Sequence, residues 1–391
     1  MAALDGLARA AGDGDVVCGV PARWVAEPAD TTAAAVLITA ARGLSVAVRG
    51  GATKLDWGTP PRELDLLIDT RRLAGVVEHA AGDLITVVRA GTRMDELDRA
   101  LHGQCLALDA PPGATAGGTV ATGASGPRRL LYGTARELLI GITVVRPDGR
   151  VTRAGGKVVK NVAGYDLGKL YTGSYGTLGL ITECVFRLHP EPAAAGYVRA
   201  AGPPGAAATV RAAQLVPSAI EVNAGPDAAP EIAVLVEGTP AGVAARAARA
   251  AELLGGAVTD EPPPWWGVPP WPAGGVGMKL TAALSAVPAL VAAAVDTGAT
   301  VRGSAGTGVL YAGFAPAAGG SGLVAAVRSV RSLRAAATRA GGHGVVLTAP
   351  AEVRGAVDMW GPVAGLELMR RVKDRFDPDH RFAPGRFVGG L

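Results

Sequence analysis

Residues 157–182 read KVVKNVAGYDLGKLYTGSYGTLGLIT and contain the densest functional signal in the chain. Gly173, Gly176 and Gly179 lead directly into an apolar segment that is predicted to be a strand. Glycine at such spacing is typical of main chain that lies close against a ligand, because no Cβ atom stands in the way. The segment is not a Rossmann fingerprint, since its glycines follow a predicted helix and enter a strand.

Two further glycine-rich loops lie upstream, RGGATK at 49–54 and PPGATAGGTVATGASG at 111–126. The first follows a predicted strand, and its two glycines would let amide groups converge on an anion, with a threonine hydroxyl and a lysine beside them. The second has five glycines among small uncharged side chains, which leaves room for a ligand. A plain turn and a flexible linker are the alternatives. Three such loops in one domain indicate a large, phosphate-bearing cofactor.

The composition excludes several classes of function. The chain has 391 residues and a net charge of +4, but its basic residues form no stripe with aromatics, so we expect no nucleic-acid partner. The longest apolar stretch, 281–301, is broken by Ser285, Pro288 and Asp296, so no membrane span is expected. The N-terminus has no apolar core of a signal peptide. These features predict a cytoplasmic protein.

The chain has three cysteines, Cys18, Cys105 and Cys184, and no two of them have the CxxC spacing. An iron–sulfur cluster or a structural zinc held by this chain alone is therefore not expected, and we predict no metal site. If the protein passes electrons on, it must hand them to a partner.

After residues 190–195 the composition shifts, and the order strand–helix–strand–strand–helix–strand is predicted twice. The two copies cover 197–260 and 276–347, on either side of a linker rich in proline and tryptophan, 261–275. This duplication predicts two ferredoxin-like halves in an α+β protein. The glycines at 303–308 lie between two predicted strands and indicate a hairpin.

In their order and spacing, the three loops resemble the FAD-binding domain of the vanillyl-alcohol oxidase superfamily, over residues 16–194. The resemblance also extends to the tail, where Phe-Asp-Pro and Pro-Gly-Arg resemble the C-terminal signature of that superfamily. Lys160, Asn161 and the Val-Ala-Gly-Tyr-Asp-Leu that follows them resemble the FAD-binding subunit of bacterial glycolate oxidase most closely. The segments that carry the resemblance are 48–53, 114–118, 125–126, 132–133, 164–166, 173–179, 376–378 and 384–386, with 160–167.

The resemblance implies a two-subdomain PCMH-type FAD-binding domain followed by a duplicated ferredoxin-like (βαββαβ ×2) cap domain. The expected boundaries are 1–194 for the FAD-binding domain, 195–350 for the cap, and 351–391 for a C-terminal helix and tail that return to the first domain. Thr53 stands where some members attach FAD through histidine, and the second loop has no cysteine, so noncovalent FAD is expected.

The first two loops would wrap the diphosphate with backbone amides, and the second would also pass the isoalloxazine edge. The strand entered from the third loop would meet the adenine end. The implied cofactor-binding residues are Arg49, Gly50, Gly51, Ala52, Thr53, Lys54, Pro112, Gly113, Thr115, Gly117, Gly118, Thr119, Thr122, Ser125, Gly126, Asp166, Gly173, Gly176, Thr177, Gly179 and Ile181.

The catalytic residues are unknown from the sequence. Relatives that oxidise D-2-hydroxy acids carry a histidine-rich motif in the substrate domain, whereas here that domain has only His343, which is interpreted as a turn residue. Arg128, Arg129 and Arg136 are candidates for a substrate carboxylate or, alternatively, surface charges. No base is evident.

The leading hypothesis is the FAD-binding subunit of a glycolate oxidase or dehydrogenase complex. It would need a larger catalytic flavoprotein and an iron–sulfur subunit, which could hold it at the inner face of the cell membrane. A stand-alone FAD-dependent dehydrogenase or oxidase of hydroxy acids or alcohols, and a non-catalytic scaffold, remain as alternatives. Trp265, Trp266 and Trp271 of the linker could line the flavin, form a subunit contact or plug a crossover.

Overall fold

The computed structural model describes residues 4–157 and 164–391. Lys160, Asn161, Val162 and Ala163, which carry part of the resemblance, lie outside the described residues. The chain divides into two compact units: Met1–Ser125, Gly133–Glu191 and Pro362–Leu391 form the first, and Gly126–Tyr132 and Pro192–Gly361 the second. The sequence pattern instead assigned 126–132 to the first domain and 351–361 to the tail.

The first unit contains a small mixed sheet and a larger antiparallel one. From edge to edge, the strands of the mixed sheet are Arg9–Ala10, Trp24–Ala26, Leu66–Asp69 and Val46–Arg49. Those of the antiparallel sheet are Val151–Gly155, Leu139–Val145, Leu180–Arg187, Ile85–Arg89 and Val76–Ala80. Two further antiparallel pairs have only two residues in each strand. They are Val16–Val17 with Val20–Pro21, and Gln104–Cys105 with His189–Pro190.

The burial of the strands in the antiparallel sheet follows their sequence patterns. Leu139–Val145 is an apolar run that is buried almost throughout, as expected of a central strand. Its neighbour Val151–Gly155 alternates between exposed and partly buried residues, as an edge strand does. The sequence Pro147-Asp148-Gly149 is typical of a turn, and the two strands on either side of it pair antiparallel, with Gly149 at a φ of +82°.

Helices of the first unit pack their apolar residues on these sheets. The helix Thr31–Ala40 begins after Asp30, whose side chain accepts a hydrogen bond from the Ala33 amide at 2.8 Å, and it buries Leu37 and Ile38. The described helices of this unit are Thr31–Ala40, Met94–Ala100, Ala116–Thr122, Ala135–Leu138, Gly168–Tyr171 and Leu366–Phe376.

The second unit is built on one eight-stranded antiparallel sheet. From edge to edge its strands are Ala257–Thr259, Ala194–Ala201, Ala228–Gly238, Ala219–Gly225, Thr300–Ser304, Val309–Phe314, Val276–Thr281 and Gly344–Thr348. Numbered along the chain within each half, the strands of both halves have the order 4-1-3-2, and the two second strands pair at the centre. This is the order of two ferredoxin-like sheets joined edge to edge. The helices are Arg129–Tyr132, Ala207–Ala212, Pro240–Leu254, Val287–Val295, Gly319–Arg339 and Ala351–Ala356.

Several predictions about loops of this unit can be compared with the structure. Residues 303–308 connect two paired antiparallel strands, so the predicted hairpin is confirmed. His343 lies between a helix and a strand, where its amide donates to Thr281 Oγ1 at 2.8 Å, in agreement with a turn residue. In the linker, Trp265 Nε1 donates to Glu231 at 2.7 Å, and the Trp271 ring occupies the space above Gly277. These two tryptophans therefore pack against the sheet.

Among the described residues, no helix is both long and apolar enough to cross a membrane.

Candidate functional site

A cleft of about 860 Å³, a volume that includes its open mouth, lies within the first unit. All three glycine-rich loops contribute to its wall, as the sequence predicted. Of the predicted cofactor-binding residues, those that line the cleft are Gly50, Gly51, Ala52, Thr53, Lys54, Thr115, Gly117, Gly118, Thr122, Gly176, Gly179 and Ile181.

Close main-chain packing holds the first and second loops together. A Cβ atom on Gly51 would collide with the carbonyl oxygen of Gly113, and one on Gly50 would collide with Thr115 Oγ1. A Cβ atom on Gly117 would lie 2.6 Å from the Ala90 Cβ, closer than nonbonded carbons approach. These glycines are thus required for the loops to pack against the protein itself, whereas Gly176 has open space where its Cβ would stand.

The second and third loops are joined by backbone hydrogen bonds. The helix Ala116–Thr122 belongs to the second loop, and its Val120 and Ala121 carbonyls accept from the Gly173 and Tyr175 amides, each at 2.9 Å. Because the hydrogen bonds run between main-chain atoms, they fix the path of both loops whatever the side chains are. The three glycine-rich loops therefore form one continuous wall.

The first loop is suited to an anion. In the described part of the chain, the amides of Gly51, Ala52 and Thr53 donate to no protein acceptor, so they can serve a ligand. Lys54 Nζ lies 3.5 Å from Thr53 Oγ1 and 5.8 Å from the centre of the Trp57 ring. No carboxylate of the described residues forms an ion pair with it, and burial lowers the pKa of Lys54 to about 8.

The charge of the cleft is positive. Among the residues that the structure describes, its lining includes two cations, Lys54 and Arg386, and no carboxylate. Arg386 is itself held in place, because its guanidinium donates to the carbonyl oxygens of Leu55 at 3.0 Å and Trp57 at 2.9 Å. A negatively charged ligand is therefore favoured over a neutral one.

Arg49 does not line the cleft. Its guanidinium forms ion pairs with Asp15 and Asp69, each at 2.9 Å, and Asp69 also accepts from Arg71. Burial of Asp69 opposes ionisation, but the hydrogen bonds from Arg71 and Arg49 outweigh it and lower the pKa of this carboxyl group. The pKa of Asp15 is also lowered, chiefly by the hydrogen bonds from the Gly12 amide and from Arg9. The network fixes the strand end from which the first loop starts.

The other predicted cofactor-binding residues lie outside the wall of the cleft. Thr119 and Thr177 are buried, the Gly113 carbonyl lies against Gly51 of the first loop, and Asp166 is exposed and paired with Lys169 at 3.6 Å. The residues placed away from the lining are Arg49, Pro112, Gly113, Thr119, Ser125, Gly126, Asp166, Gly173 and Thr177. A cofactor role for any of the predicted residues, in the cleft or outside it, stays a prediction.

Sequence reasoning missed Tyr175 and the C-terminal segment as parts of the wall. Tyr175 lines the cleft with a φ of +55°, and its ring lies 5.7 Å from that of Phe387. Ala383 and Arg386 also line the cleft. In the sequence, Pro-Gly-Arg at 384–386 indicated only that the tail resembles the C-terminal signature of the superfamily. The fold shows which residues of the tail reach the cleft.

None of the three arginines considered for a substrate carboxylate lines the cleft. Arg129 belongs to the second unit, where Nη2 donates to the Tyr311 hydroxyl at 3.3 Å and Nε to the Gly126 carbonyl at 2.8 Å. The Arg128 guanidinium lies over the Tyr132 ring at 6.0 Å. Neither these residues nor Arg136 line the cleft, and within the described residues its lining has no histidine, aspartate or glutamate.

Comparison with known proteins shows that part of this unit matches a family model. Residues 22–155 match the family described as FAD binding domain. The chain is similar to a D-lactate dehydrogenase of Archaeoglobus fulgidus, with 37% identity over 153 residues, which is 38% of this chain and 34% of that protein. It is also similar to the glycolate oxidase subunit GlcE of Escherichia coli, with 38% identity over 157 residues, which is 39% of this chain and 44% of that protein. The aligned region thus spans less than half of each relative.

The similarity in fold extends over the rest of the chain. The crystal structure of p-cresol methylhydroxylase with substrate bound superposes with a TM-score of 0.71 at 14% identity, covering 94% of this chain and 89% of that chain. Both units are therefore included in the common fold. Residues 22–155 thus match the FAD binding domain, and the fold of the chain is similar to that of p-cresol methylhydroxylase.

Proposed function

We propose that this protein is an FAD-dependent oxidoreductase that takes part in the oxidation of a 2-hydroxy acid, glycolate or a close analogue. The observation that carries the proposal is the positively charged cleft of the FAD binding domain. The names of the relatives support the class of substrate, since one is a D-lactate dehydrogenase and another a glycolate oxidase subunit. Lactate and glycolate share an α-hydroxyl group next to a carboxylate.

The residues of the cleft fit FAD. The unpartnered amides of the first loop and the Lys54 ammonium supply donors and charge for a diphosphate. The small residues of the second and third loops leave open space beside these donors. When bound, FAD supplies the acceptor for the hydride of the substrate CH–OH group. The side chains of this chain would orient the cofactor and exclude water around it.

We further propose that the FAD is dissociable. Among the described residues that line the cleft there is neither a histidine nor a cysteine, the side chains expected for covalent attachment. Thr53, which stands at the position of the attaching histidine, lines the cleft and has no ring nitrogen to offer.

We place the protein as the FAD-binding subunit of a complex with a larger catalytic flavoprotein and an iron–sulfur subunit. Two observations support this role: within the described residues the cleft lining has no histidine or carboxylate that could act as a base, and the three cysteines are too few for a four-thiolate cluster. The similarity to GlcE, which is named as a subunit, points the same way. Such a complex would be cytoplasmic, and its partners could hold it at the inner face of the cell membrane.

The test is purification of the protein from its own cells at native abundance, and separately as recombinant material. We expect flavin absorbance in both, an iron–sulfur protein and a second flavoprotein attached to the native sample, and no turnover of glycolate or D-lactate by the recombinant chain with an artificial acceptor. Turnover by the recombinant chain alone would favour a stand-alone dehydrogenase. Colourless protein after incubation with excess FAD would leave only the scaffold alternative.

A further inference from the structure

The C-terminal segment contains a buried lysine whose contacts join three parts of the first unit. Lys373 lies in the last turn of the helix Leu366–Phe376 and is 1% exposed. Its Nζ donates to the Thr177 carbonyl at 2.7 Å, to Asp377 Oδ2 at 2.6 Å and to the Phe382 carbonyl at 2.8 Å. An ammonium group has three protons, so each of them is used.

Each acceptor belongs to a different segment. Thr177 directly follows Gly176 of the third loop, which lines the cleft. Phe382 directly precedes Ala383 of the tail, which also lines it. Asp377 ends the helix and is 0% exposed. Since its Oδ2 also accepts from the Phe382 amide at 2.8 Å, the carboxylate closes the turn that returns the chain to the cleft.

The tail is in turn joined to the first loop. The Val46 amide donates to the Arg381 carbonyl at 2.8 Å, and the Ala383 amide donates back to the Val46 carbonyl at 2.6 Å. Val46 begins the strand that leads into Gly50, and Arg386 holds the carbonyls at the far end of the first loop, Leu55 and Trp57. The tail therefore contacts the first loop at its beginning and at its end.

The third loop carries backbone strain two residues before the Thr177 carbonyl that Lys373 holds. Tyr175 has a φ of +55°, which a residue with a Cβ atom adopts only when its surroundings require it. Its ring lies against that of Phe387 from the tail, at 5.7 Å. A support that fixes both the loop and the tail keeps this pair of rings at the wall of the cleft.

We propose that Lys373 is a positioning residue for the cofactor: its ammonium group ties the third loop to the C-terminal segment and so sets Tyr175, Ala383 and Arg386 around the cleft. The inference rests on the assignment of the cleft to FAD. It goes beyond the family match, which ends at residue 155 and does not include the helix that carries Lys373.

The test separates positioning from mere stability with two variants. K373M removes all three donated hydrogen bonds and leaves the Asp377 carboxylate buried without its cation, so this variant melts at a lower temperature. K373M/D377N removes that charge as well, while the asparagine oxygen still accepts from the Phe382 amide. We expect the melting temperature of the double variant to return most of the way to the wild-type value. Its Kd for FAD should nevertheless be about tenfold higher than that of the wild type, or higher still.

R334M is the matched control. Arg334 is a half-buried arginine of the second unit whose guanidinium also donates to carbonyl oxygens, those of Gly344, Asp358 and Met359, and it does not line the cleft. This variant should melt earlier and, while folded, keep the wild-type Kd for FAD. A wild-type Kd in K373M/D377N, measured below its melting temperature, would overturn the proposal.

Hydrogen exchange on the flavin-free protein gives a readout that does not depend on FAD binding. In K373M/D377N the amides of Tyr175 and Thr177 and that of Ala383 should all exchange faster, whereas the helix Thr31–Ala40 should be unchanged. Unchanged exchange rates at both segments would show that Lys373 does not couple the third loop to the tail. If the wild-type protein bound no FAD, the assignment of the cleft would fail, and the exchange experiment would still decide whether Lys373 couples the two segments.

Discussion

Lys54 is the side chain of the cleft whose charge depends on pH within the usual working range. In the flavin-free protein its pKa is about 8, because burial disfavours the ammonium form and no carboxylate compensates. Two negative charges of a bound diphosphate would favour the ammonium and raise that pKa. FAD binding therefore takes up a proton above about pH 8.

The resulting prediction concerns the pH dependence of FAD affinity. Affinity should be constant below about pH 8 and fall above it, by at most about tenfold per pH unit for one proton, and fluorescence titration of the flavin-free protein measures it. K54M should bind more weakly at neutral pH and lose this dependence, while K54R should keep the affinity and lose the decline. A decline of equal steepness in K54M would rule out Lys54 as its source.

Gly51 gives a second prediction at this scale, because its importance is one of space. A methyl group there would strike the Gly113 carbonyl and force the first two loops apart. G51A should lose FAD binding and destabilise the fold by about 1–3 kcal/mol, the usual cost of overpacking. G14A is the control, since nothing lies within 4 Å of the position its Cβ would take. Flavin content after purification and chemical denaturation measure the two effects, and wild-type flavin content in G51A would contradict them.

At the scale of elements, the ion network of Arg49 fixes the end of the strand Val46–Arg49 from which the first loop starts. Asp15 and Asp69 have lowered pKa values in the folded protein. The unfolded chain, where aspartate has a pKa near about 3.9, therefore takes up protons first as the pH falls. The stability that these carboxylates contribute is complete above that value and is lost below it.

We predict that D15N/D69N will flatten the acid limb of the stability curve. The wild-type free energy of unfolding should fall steeply below about pH 4, while the double variant should start lower at neutral pH and change less. Denaturant unfolding between neutral pH and about pH 3 measures both curves. D13N, at an exposed position, should follow the wild type. A parallel decline in D15N/D69N and wild type would show that other carboxylates govern acid unfolding.

The sequence predicted elements and loops well where the information is local. The turn at 147–149, the hairpin at 303–308 and the presence of three glycine-rich loops follow from residue types and spacing. Arg49 shows the limit. Next to two glycines it resembled a phosphate ligand, but its partner Asp15 lies 34 positions away in the chain, and no local pattern reports that distance.

The residues that sequence reasoning missed share the same cause. Tyr175 was passed over because an aromatic residue among glycines gives no sign that its φ is positive, and Arg386 because its acceptors come from residues 55 and 57. Lys373 resembles a solvent-facing residue of an amphipathic helix until the tail folds over it. In each case the missing information is a contact between segments far apart in sequence.

At the scale of the whole molecule, FAD should stabilise the protein by binding the folded state alone. At a free concentration one hundred times its Kd, FAD should raise the free energy of unfolding by about 2.7 kcal/mol, which thermal unfolding of flavin-free and flavin-loaded protein can measure. FMN at the same free concentration as FAD is the matched ligand control, because it lacks the second phosphate and the adenosine. Equal stabilisation by FMN and FAD at that concentration would mean that the cleft does not bind the diphosphate and adenosine that distinguish FAD.

The centre of the eight-stranded sheet has a consequence for how this molecule arose. Ala219–Gly225 and Thr300–Ser304 are equivalent strands of the two halves, and they pair antiparallel, with Glu221 opposite Ser304 and Ala224 opposite Val301. Antiparallel pairing of two copies of one strand is the geometry of a twofold-symmetric dimer. A precursor with a single half would have exposed this edge and could have covered it by associating with itself. The second unit therefore has the architecture that duplication and fusion of a gene for one self-associating half would produce.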